Sequence, residues 1–178
     1  MSIALDQLTD EQREIVGLVR QFADERIIHV ASELEHEDTF PDDIVEGLKE
    51  LGIFGFTIPE EYGGLGLDLT TYALAVCELS RGWMSVSGIV NTHFIVADML
   101  MRDGTEEQRA RFLPRMATGE IRCAFSMTEP ECGSDVQAIR STATLDGSDY
   151  VVNGQKMWVT NGLRSGMVAT LVKTDPDA

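Results

Sequence analysis

Basic side chains are scarce in this sequence, which has 14 Lys and Arg against 30 Asp and Glu and a formal net charge of -16. Such an excess of negative charge repels the phosphates of nucleic acids and the headgroups of anionic lipids. The composition therefore disfavours a protein that binds nucleic acid. It does not exclude a nucleotide cofactor, because helix N-termini and backbone NH groups can bind phosphate locally.

Cysteines are also few, and long hydrophobic runs are missing. The three cysteines lie far apart without a CxxC pair, so the sequence predicts neither a disulfide framework nor a zinc site. The longest apolar stretch, residues 87–101, is interrupted by polar side chains and falls short of the ~18 residues of a membrane span. The N-terminus lacks the basic and apolar regions of a secretory signal. We expect a soluble protein without membrane insertion, located in the cytoplasm, or in the mitochondrial matrix if the source is eukaryotic.

Helix signals fill the first part of the chain. Thr9 with Gln12, and Thr105 with Gln108, form the pattern of a capping box, in which the first side chain and the third helical residue bond to each other's backbone. Asp68 is placed to cap another helix. Apolar residues recur after these positions at spacings of three and four, which is typical of amphipathic helices.

After residue 119 the pattern changes to short β-branched and aromatic runs. The strand-like segments are IRCAFSMT, IRSTATL, DYVV, QKMWVT and MVATLVK. Asp-Gly at 146–147 and Asn-Gly at 153–154 are dipeptides typical of hairpin turns. Because the helices precede the strands instead of alternating with them, we expect an α+β fold. Its parts are an N-terminal all-α bundle over residues 1–120 and an incomplete antiparallel β domain over residues 121–178.

Three candidate sites have simpler structural interpretations. The glycines of residues 63–66 complete neither GxGxxG nor GxxxxGK[ST] and are typical of a structural turn. His29, Glu33 and His36 could share one helix face and offer ligands to a metal, but a solvated acidic face is the preferred interpretation. The sequence has no recognisable nucleophile elbow whose Ser or Cys His93 could activate for acyl transfer. We therefore interpret His93 as a core or pocket-lining histidine. We therefore expect no metal site.

A different signal lies in CAFSMTEPECGSD, residues 123–135, where an apolar run stops in small and hydroxylated residues. Thr128 ends the run, and Gly133 and Ser134 follow in a turn. Such an edge presents NH groups and hydroxyls, which suit a polar ring system or a pyrophosphate. An ordinary transition from strand to turn is the alternative.

The segment QKMWVTNG, residues 155–162, repeats this arrangement. Trp158 and Thr160 would share one face of a strand and offer a flat apolar platform beside a hydroxyl. A planar heterocycle would suit that platform, although a single Trp in a strand is usually core packing. Two such edges in one small sheet favour a ligand site.

Four segments carry a resemblance to a known family. They are FADERIIHVA, FPDDIVEGLKELGIFGFTIPEEYGGLGLD, GTEEQRARFLPRMATGEIRCAFSMTEPECGSD and YVVNGQKMWVTNG, and through them the chain resembles the acyl-CoA dehydrogenases over essentially its whole length. The resemblance implies an N-terminal helical domain, residues 1–120, and the first part of an FAD-binding β domain, residues 121–178. It implies FAD-dependent conversion of an acyl-CoA thioester to the 2-enoyl-CoA. The family's C-terminal helical domain is expected to lie outside these residues.

The resemblance also implies roles for individual residues. The implied FAD contacts are Phe125, Met127, Thr128, Gly133, Ser134, Trp158, Val159 and Thr160. Thr128 would reach the pyrimidine edge of the flavin, while Gly133 and Ser134 would approach the pyrophosphate. Ser134 would also contact the bound acyl-CoA substrate. Trp158 would pack on the flavin face away from substrate, and Thr160 would hydrogen-bond near N5.

The family's catalytic base is a glutamate of the C-terminal domain, so the resemblance assigns no catalytic residue to this chain, which alone is expected to be inactive. It implies an electron-transferring flavoprotein as electron acceptor and a homodimer or homotetramer. The alternatives are a non-catalytic partner subunit that binds FAD or acyl-CoA, an acyl-CoA oxidase, and a flavin monooxygenase. Trp83, Ile89 and Phe94 suggest a short or branched acyl chain.

Overall fold

The structure, a computed structural model, describes residues 8–175 and has helices followed by two small sheets. The α-helices are α1 Asp10–Phe22, α2 Ile28–His36, α3 Asp42–Glu50, α4 Leu69–Gly82, α5 Met84–Asp103 and α6 Glu106–Ala117. A π-helical turn, Ala23–Ile27, joins α1 to α2, and shorter helical turns cover Ile53–Gly55, Glu60–Tyr62 and Val136–Ala138. The strands are β1 Cys123–Ser126, β2 Thr142–Asp146, β3 Asp149–Asn153 and β4 Met167–Thr170.

The predicted helix caps are confirmed. Thr9 Oγ1 accepts a hydrogen bond from Gln12 N at 3.1 Å, and Gln12 Oε1 accepts one from Thr9 N at 3.0 Å. Thr105 and Gln108 repeat the same capping box at the start of α6. Asp68 accepts from two backbone NH groups in the first turn of α4. Each cap satisfies NH groups that a helix N-terminus leaves without an intrahelical partner.

Two core clusters organise the packing, and α5 contributes to both. The first lies among α1, α3, α4 and α5 and has Ile27, Leu48 and Leu79 at its fully buried centre. The second joins α5 and α6 to β1. By length and composition α5 could cross a membrane, but 44% of its most apolar window is buried inside the protein. The buried residues of α5 belong to both core clusters, and the helix contacts β1.

The strand pairing differs in part from the expectation. β2 and β3 form the predicted antiparallel hairpin around Gly147, whose φ of 63° suits a tight turn. β1 and β4, however, pair in parallel, with Cys123 opposite Met167, so the prediction of a wholly antiparallel sheet is wrong. A parallel pair needs a long crossover connection, and the chain between β1 and β4 supplies one. The α+β class itself is confirmed.

Asn-Gly at 153–154 makes no second hairpin, which corrects that prediction. The chain instead passes close to the segment before β2, where a Cβ added at Gly154 would lie 2.0 Å from Ser141 Oγ. Glycine is therefore required at this position by the close approach of another segment rather than by a hairpin turn.

The segment QKMWVT is not a strand, so Trp158 and Thr160 do not share a strand face. Met157 N donates to Thr128 O at 2.8 Å, which draws the segment onto the turn after β1. Trp158 then has a left-handed φ of 57°, and Thr160 lies in the turn that follows. A left-handed residue interrupts the extended backbone, and only along an extended backbone do side chains alternate between two faces.

Candidate functional site

A cleft of about 400 Å³ lies where the helical region meets the loop around Thr160. One wall comes from the end of α2 and the loop that follows it, and another from the first turns of α5. Thr160 and Asn161 contribute from the β region. Within the cleft, the Glu35 carboxylate accepts hydrogen bonds from Trp83 Nε1 and Ser85 Oγ. The cleft thus has apolar walls with a few oriented polar groups, as small-molecule sites commonly have.

Asn161 fixes the loop that borders this cleft. Its side-chain Nδ2 donates to Ile89 O at 2.9 Å and to Cys123 O at 3.1 Å, so one amide contacts both α5 and β1. Its φ of 66° is left-handed, a conformation that asparagine tolerates better than most residues. Sequence reasoning missed this residue, although Asn-Gly at 161–162 was a signal for a left-handed turn.

Trp158 combines an unusual backbone with an unusual exposure. Its φ is 57° and its side chain is 81% exposed. A bulky residue with positive φ is an outlier, and such strain persists only where surrounding contacts impose it, often at functional sites. The indole presents a flat apolar surface, which suits the predicted role of platform but from a loop rather than a strand.

The turn after β1 brings Thr128 and Gly133 together. Glu129 N donates to Cys132 O at 2.9 Å and Cys132 N to Glu129 O at 3.3 Å, which closes the turn. A Cβ added at Gly133 would lie 3.9 Å from Thr128 Cγ2. Among residues 8–175, the backbone NH groups of Gly133 and Ser134 donate no hydrogen bond. These amides are therefore available to an anionic ligand.

The donor chemistry of the predicted residues fits a flavin nucleotide. The hydroxyls of Thr128, Ser134 and Thr160 make no hydrogen bond within the described part of the chain. Unused hydroxyls and amides match the polar edge of an isoalloxazine and a pyrophosphate, and the exposed Trp158 ring matches its flat face.

The structure does not gather all eight predicted residues into one cavity. Thr160 lines the cleft, whereas the turn around Thr128 lies outside its lining. Phe125 packs partly against the second core cluster. Val159 is half-buried and accepts a hydrogen bond at its carbonyl from Gly162 N at 2.9 Å.

A buried ion pair connects the two groups of residues. Lys156 Nζ lies 2.8 Å from Glu129 Oε1 and donates to Met127 O at 2.9 Å. Glu129 also accepts from Arg140 N at 2.6 Å and Ser141 N at 3.0 Å. The two charged side chains are only 10% and 4% exposed.

The charge state of Glu129 follows from these contacts. Burial alone would raise the pKa of Glu129, but the hydrogen bonds from Lys156 and from the 140–141 segment outweigh it and lower the pKa to about 2. Sequence reasoning missed the Glu129–Lys156 pair, because the partners are 27 residues apart and no local pattern joins them.

The weaker candidate sites keep their structural interpretations. A Cβ at Gly64 would lie 1.9 Å from Ile58 O, so the glycines of residues 63–66 serve a tight turn. His93 is buried with Nε2 3.2 Å from Phe54 O, and burial lowers its pKa to about 4, as for a core histidine. Among residues 8–175, no group of three His, Cys, Asp or Glu side chains is arranged to hold a metal ion.

Family models of known proteins match nearly the whole chain. The family model described as acyl-CoA dehydrogenase, N-terminal domain, matches residues 9–120, and the one described as acyl-CoA dehydrogenase, middle domain, matches residues 124–178. The chain belongs to the acyl-CoA dehydrogenase family. The recognition made from the four sequence segments is thereby confirmed.

Individual relatives agree with this family assignment. A (2S)-methylsuccinyl-CoA dehydrogenase of Cereibacter sphaeroides is 39% identical over 93% of this chain and 31% of its own length. An acyl-CoA dehydrogenase of Bacillus subtilis is 36% identical over 96% of this chain and 45% of its own. The chain thus spans less than half the length of these curated relatives.

A solved structure adds the cofactor. The glutaryl-CoA dehydrogenase of Mycobacterium smegmatis in complex with FADH2 matches with a TM-score of 0.90 and 33% identity, covering 97% of this chain and 45% of that one. FAD is therefore a cofactor of the family to which this chain belongs.

Proposed function

We propose that this chain forms the N-terminal helical part and the beginning of the FAD-binding β region of an FAD-dependent acyl-CoA dehydrogenase, which converts an acyl-CoA to the 2-enoyl-CoA. The observation that carries the proposal is the set of unused hydroxyls and amides at Thr128, Gly133, Ser134 and Thr160, together with the strained, exposed Trp158. The family membership supports the same conclusion.

In this proposal the chain's own residues bind and orient the cofactor. Those that would hold FAD are Phe125, Met127, Thr128, Gly133, Ser134, Trp158, Val159 and Thr160. Bound FAD would accept the hydride that leaves the β-carbon of the thioester. Thr128 and Thr160 would donate hydrogen bonds to the ring as negative charge develops on it, which favours reduction. Ser134 would also contact the acyl-CoA.

The catalytic base is proposed to lie outside residues 8–175. Glu129 directly follows Thr128 in the chain, but it is paired with Lys156, and its pKa of about 2 makes it a poor proton acceptor. We therefore expect the 178 residues alone to be inactive. We further propose an electron-transferring flavoprotein as electron acceptor, assembly as a homodimer or homotetramer, and location in the cytoplasm, or in the mitochondrial matrix of a eukaryote.

The proposal is tested on the full-length protein. It is purified, loaded with FAD and mixed anaerobically with short, branched and long acyl-CoAs while the flavin absorbance is followed. We expect rapid bleaching by at least one acyl-CoA and formation of the enoyl product. No bleaching by any acyl-CoA would contradict the dehydrogenase function. Stoichiometric hydrogen peroxide in air would instead indicate the acyl-CoA oxidase.

A further inference from the structure

The buried Glu129–Lys156 pair joins the two segments that are proposed to hold the flavin. Lys156 immediately precedes the segment of Trp158 and Thr160, whereas Glu129 immediately follows Thr128. The 2.8 Å contact between their charged atoms therefore ties one group of predicted flavin contacts to the other.

Two further hydrogen bonds place this pair at the backbone next to the flavin edge. Lys156 Nζ donates to Met127 O at 2.9 Å, and Met157 N donates to Thr128 O at 2.8 Å. The Lys156 ammonium thus contacts the backbone of Met127. Met127 directly precedes Thr128, the residue proposed to reach the pyrimidine edge of the ring.

Burial of two charges requires a reason. Desolvation of an ion pair often costs as much as the attraction returns, and well-packed apolar residues are frequently as stabilising. Glu129 compensates with three other contacts: its carboxylate accepts from Arg140 N and Ser141 N, and its own backbone closes the turn with Cys132. The network orders the turn and at the same time keeps one positive and one negative charge beside it.

We propose that Lys156, held by Glu129, is a positioning residue that keeps the two flavin-contacting segments in register, and that the balance of the two charges sets the reduction potential of the bound flavin. This inference rests on the proposed function, because it assumes that FAD binds between these segments.

The electrostatic argument gives opposite signs for the two partners. A flavin gains negative charge on reduction, so a nearby positive charge favours the reduced form and a nearby negative charge disfavours it. Glu129→Gln leaves the ammonium without its counter-charge and should raise the midpoint potential. Lys156→Gln leaves the carboxylate without its counter-charge and should lower it. A structural disturbance alone would not produce shifts of opposite sign.

The experiment compares full-length wild type with both single variants, the double variant and Lys156→Arg. The FAD dissociation constant is measured on apoprotein, and the midpoint potential by dye equilibration on protein saturated with FAD. We expect each single substitution to weaken FAD binding about tenfold or more, because the contact that ties the two flavin-contacting segments together is lost. The double variant should return the potential toward that of wild type, and Lys156→Arg should retain the wild-type potential.

Glu131→Gln is the matched control, since Glu131 lies in the same turn but is exposed and pairs with the exposed Arg140 at 3.0 Å. It should leave the potential and the FAD affinity near wild type because exposed pairs contribute little. If a single variant does not fold, the double variant tests the positioning role, because it leaves no unpaired charge. Its affinity for FAD should still fall about tenfold, since the contact between the two segments is lost.

The failures are distinguishable. Wild-type apoprotein that binds no FAD would overturn the proposed function and this inference with it. Wild type that binds FAD, with variants whose potentials are unchanged or shift in the same direction, would overturn this inference alone. A double variant with wild-type FAD affinity would refute the positioning role.

Discussion

At the scale of single residues, Trp158 contributes little to the packing of the fold and is proposed to contact FAD. Its ring is 81% exposed, so the fold gains little from it, yet its backbone adopts a conformation that costs free energy. We therefore predict that this side chain serves a bound ligand rather than the stability of the fold.

Trp158→Ala should therefore weaken FAD binding about ten- to a hundredfold, because stacking and burial of the ring against flavin are lost. The urea midpoint of the apoprotein should stay close to that of wild type. Leu163→Ala is the control, since Leu163 is a fully exposed apolar residue in the neighbouring turn. An FAD dissociation constant unchanged by Trp158→Ala would refute the platform role.

Thr160→Val tests the hydroxyl that lines the cleft. If that hydroxyl donates to the flavin as charge develops, kcat should fall roughly tenfold or more while KM for the acyl-CoA stays nearly constant. Steady-state assays of the full-length protein with an electron acceptor give both quantities, and Thr144→Val on the exposed face of β2 is the control. A raised KM with an intact kcat would instead assign Thr160 to substrate binding.

At the scale of elements, the sequence predicted those features that depend on contacts between residues close together in the chain. The capping boxes of α1 and α6 and the hairpin at Gly147 involve residues within a few positions of one another, and all were predictable. The parallel pairing of β1 with β4 and the path of QKMWVT depend on partners tens of residues away. Periodicity identifies an extended segment but carries no information about its partner, and the bond from Met157 N to Thr128 O has no local signature.

Gly154→Ala should destabilise the β region by about 1–3 kcal/mol, because the added methyl overlaps Ser141 Oγ and forces either segment to shift. Gly147→Ala provides the comparison: nothing lies within 4 Å of its added Cβ, and only the left-handed φ opposes it, at about 1 kcal/mol. Free energies of unfolding from urea titrations of the full-length variants give the two values. The reverse order would show that the close approach at Gly154 relaxes without cost.

At the scale of the whole molecule, the excess of acidic groups makes stability depend on pH. Carboxylates that gain partners on folding have lowered pKa values: a hydrogen bond from Arg20 lowers that of Glu78, one from Arg115 lowers that of Glu120, and Glu129 titrates at about 2. A group whose folded pKa lies below its unfolded value stabilises the fold above the unfolded pKa. That stabilisation is lost as pH falls through the folded pKa.

For Glu129 the window runs from its ordinary pKa of 4.5 down to about 2. Wild type should lose stability across this window faster than Glu129→Gln, which cannot titrate there. The difference between their urea midpoints, measured at several pH values, isolates this one group from the other carboxylates. Parallel pH profiles for the two proteins would contradict the lowered pKa of Glu129.

The double hydrogen bond of Asn161 has a consequence for how this scaffold can change. One planar amide donates to both Ile89 O and Cys123 O, so the spacing between α5 and β1 is set by the dimensions of a single side-chain group. Moving the two elements apart to admit a bulkier ligand would break both hydrogen bonds of the Asn161 amide. We expect relatives that bind a larger ligand in this cleft to carry smaller side chains at positions such as Trp83 or Ile89. The spacing between the backbones of α5 and β1 should stay the same.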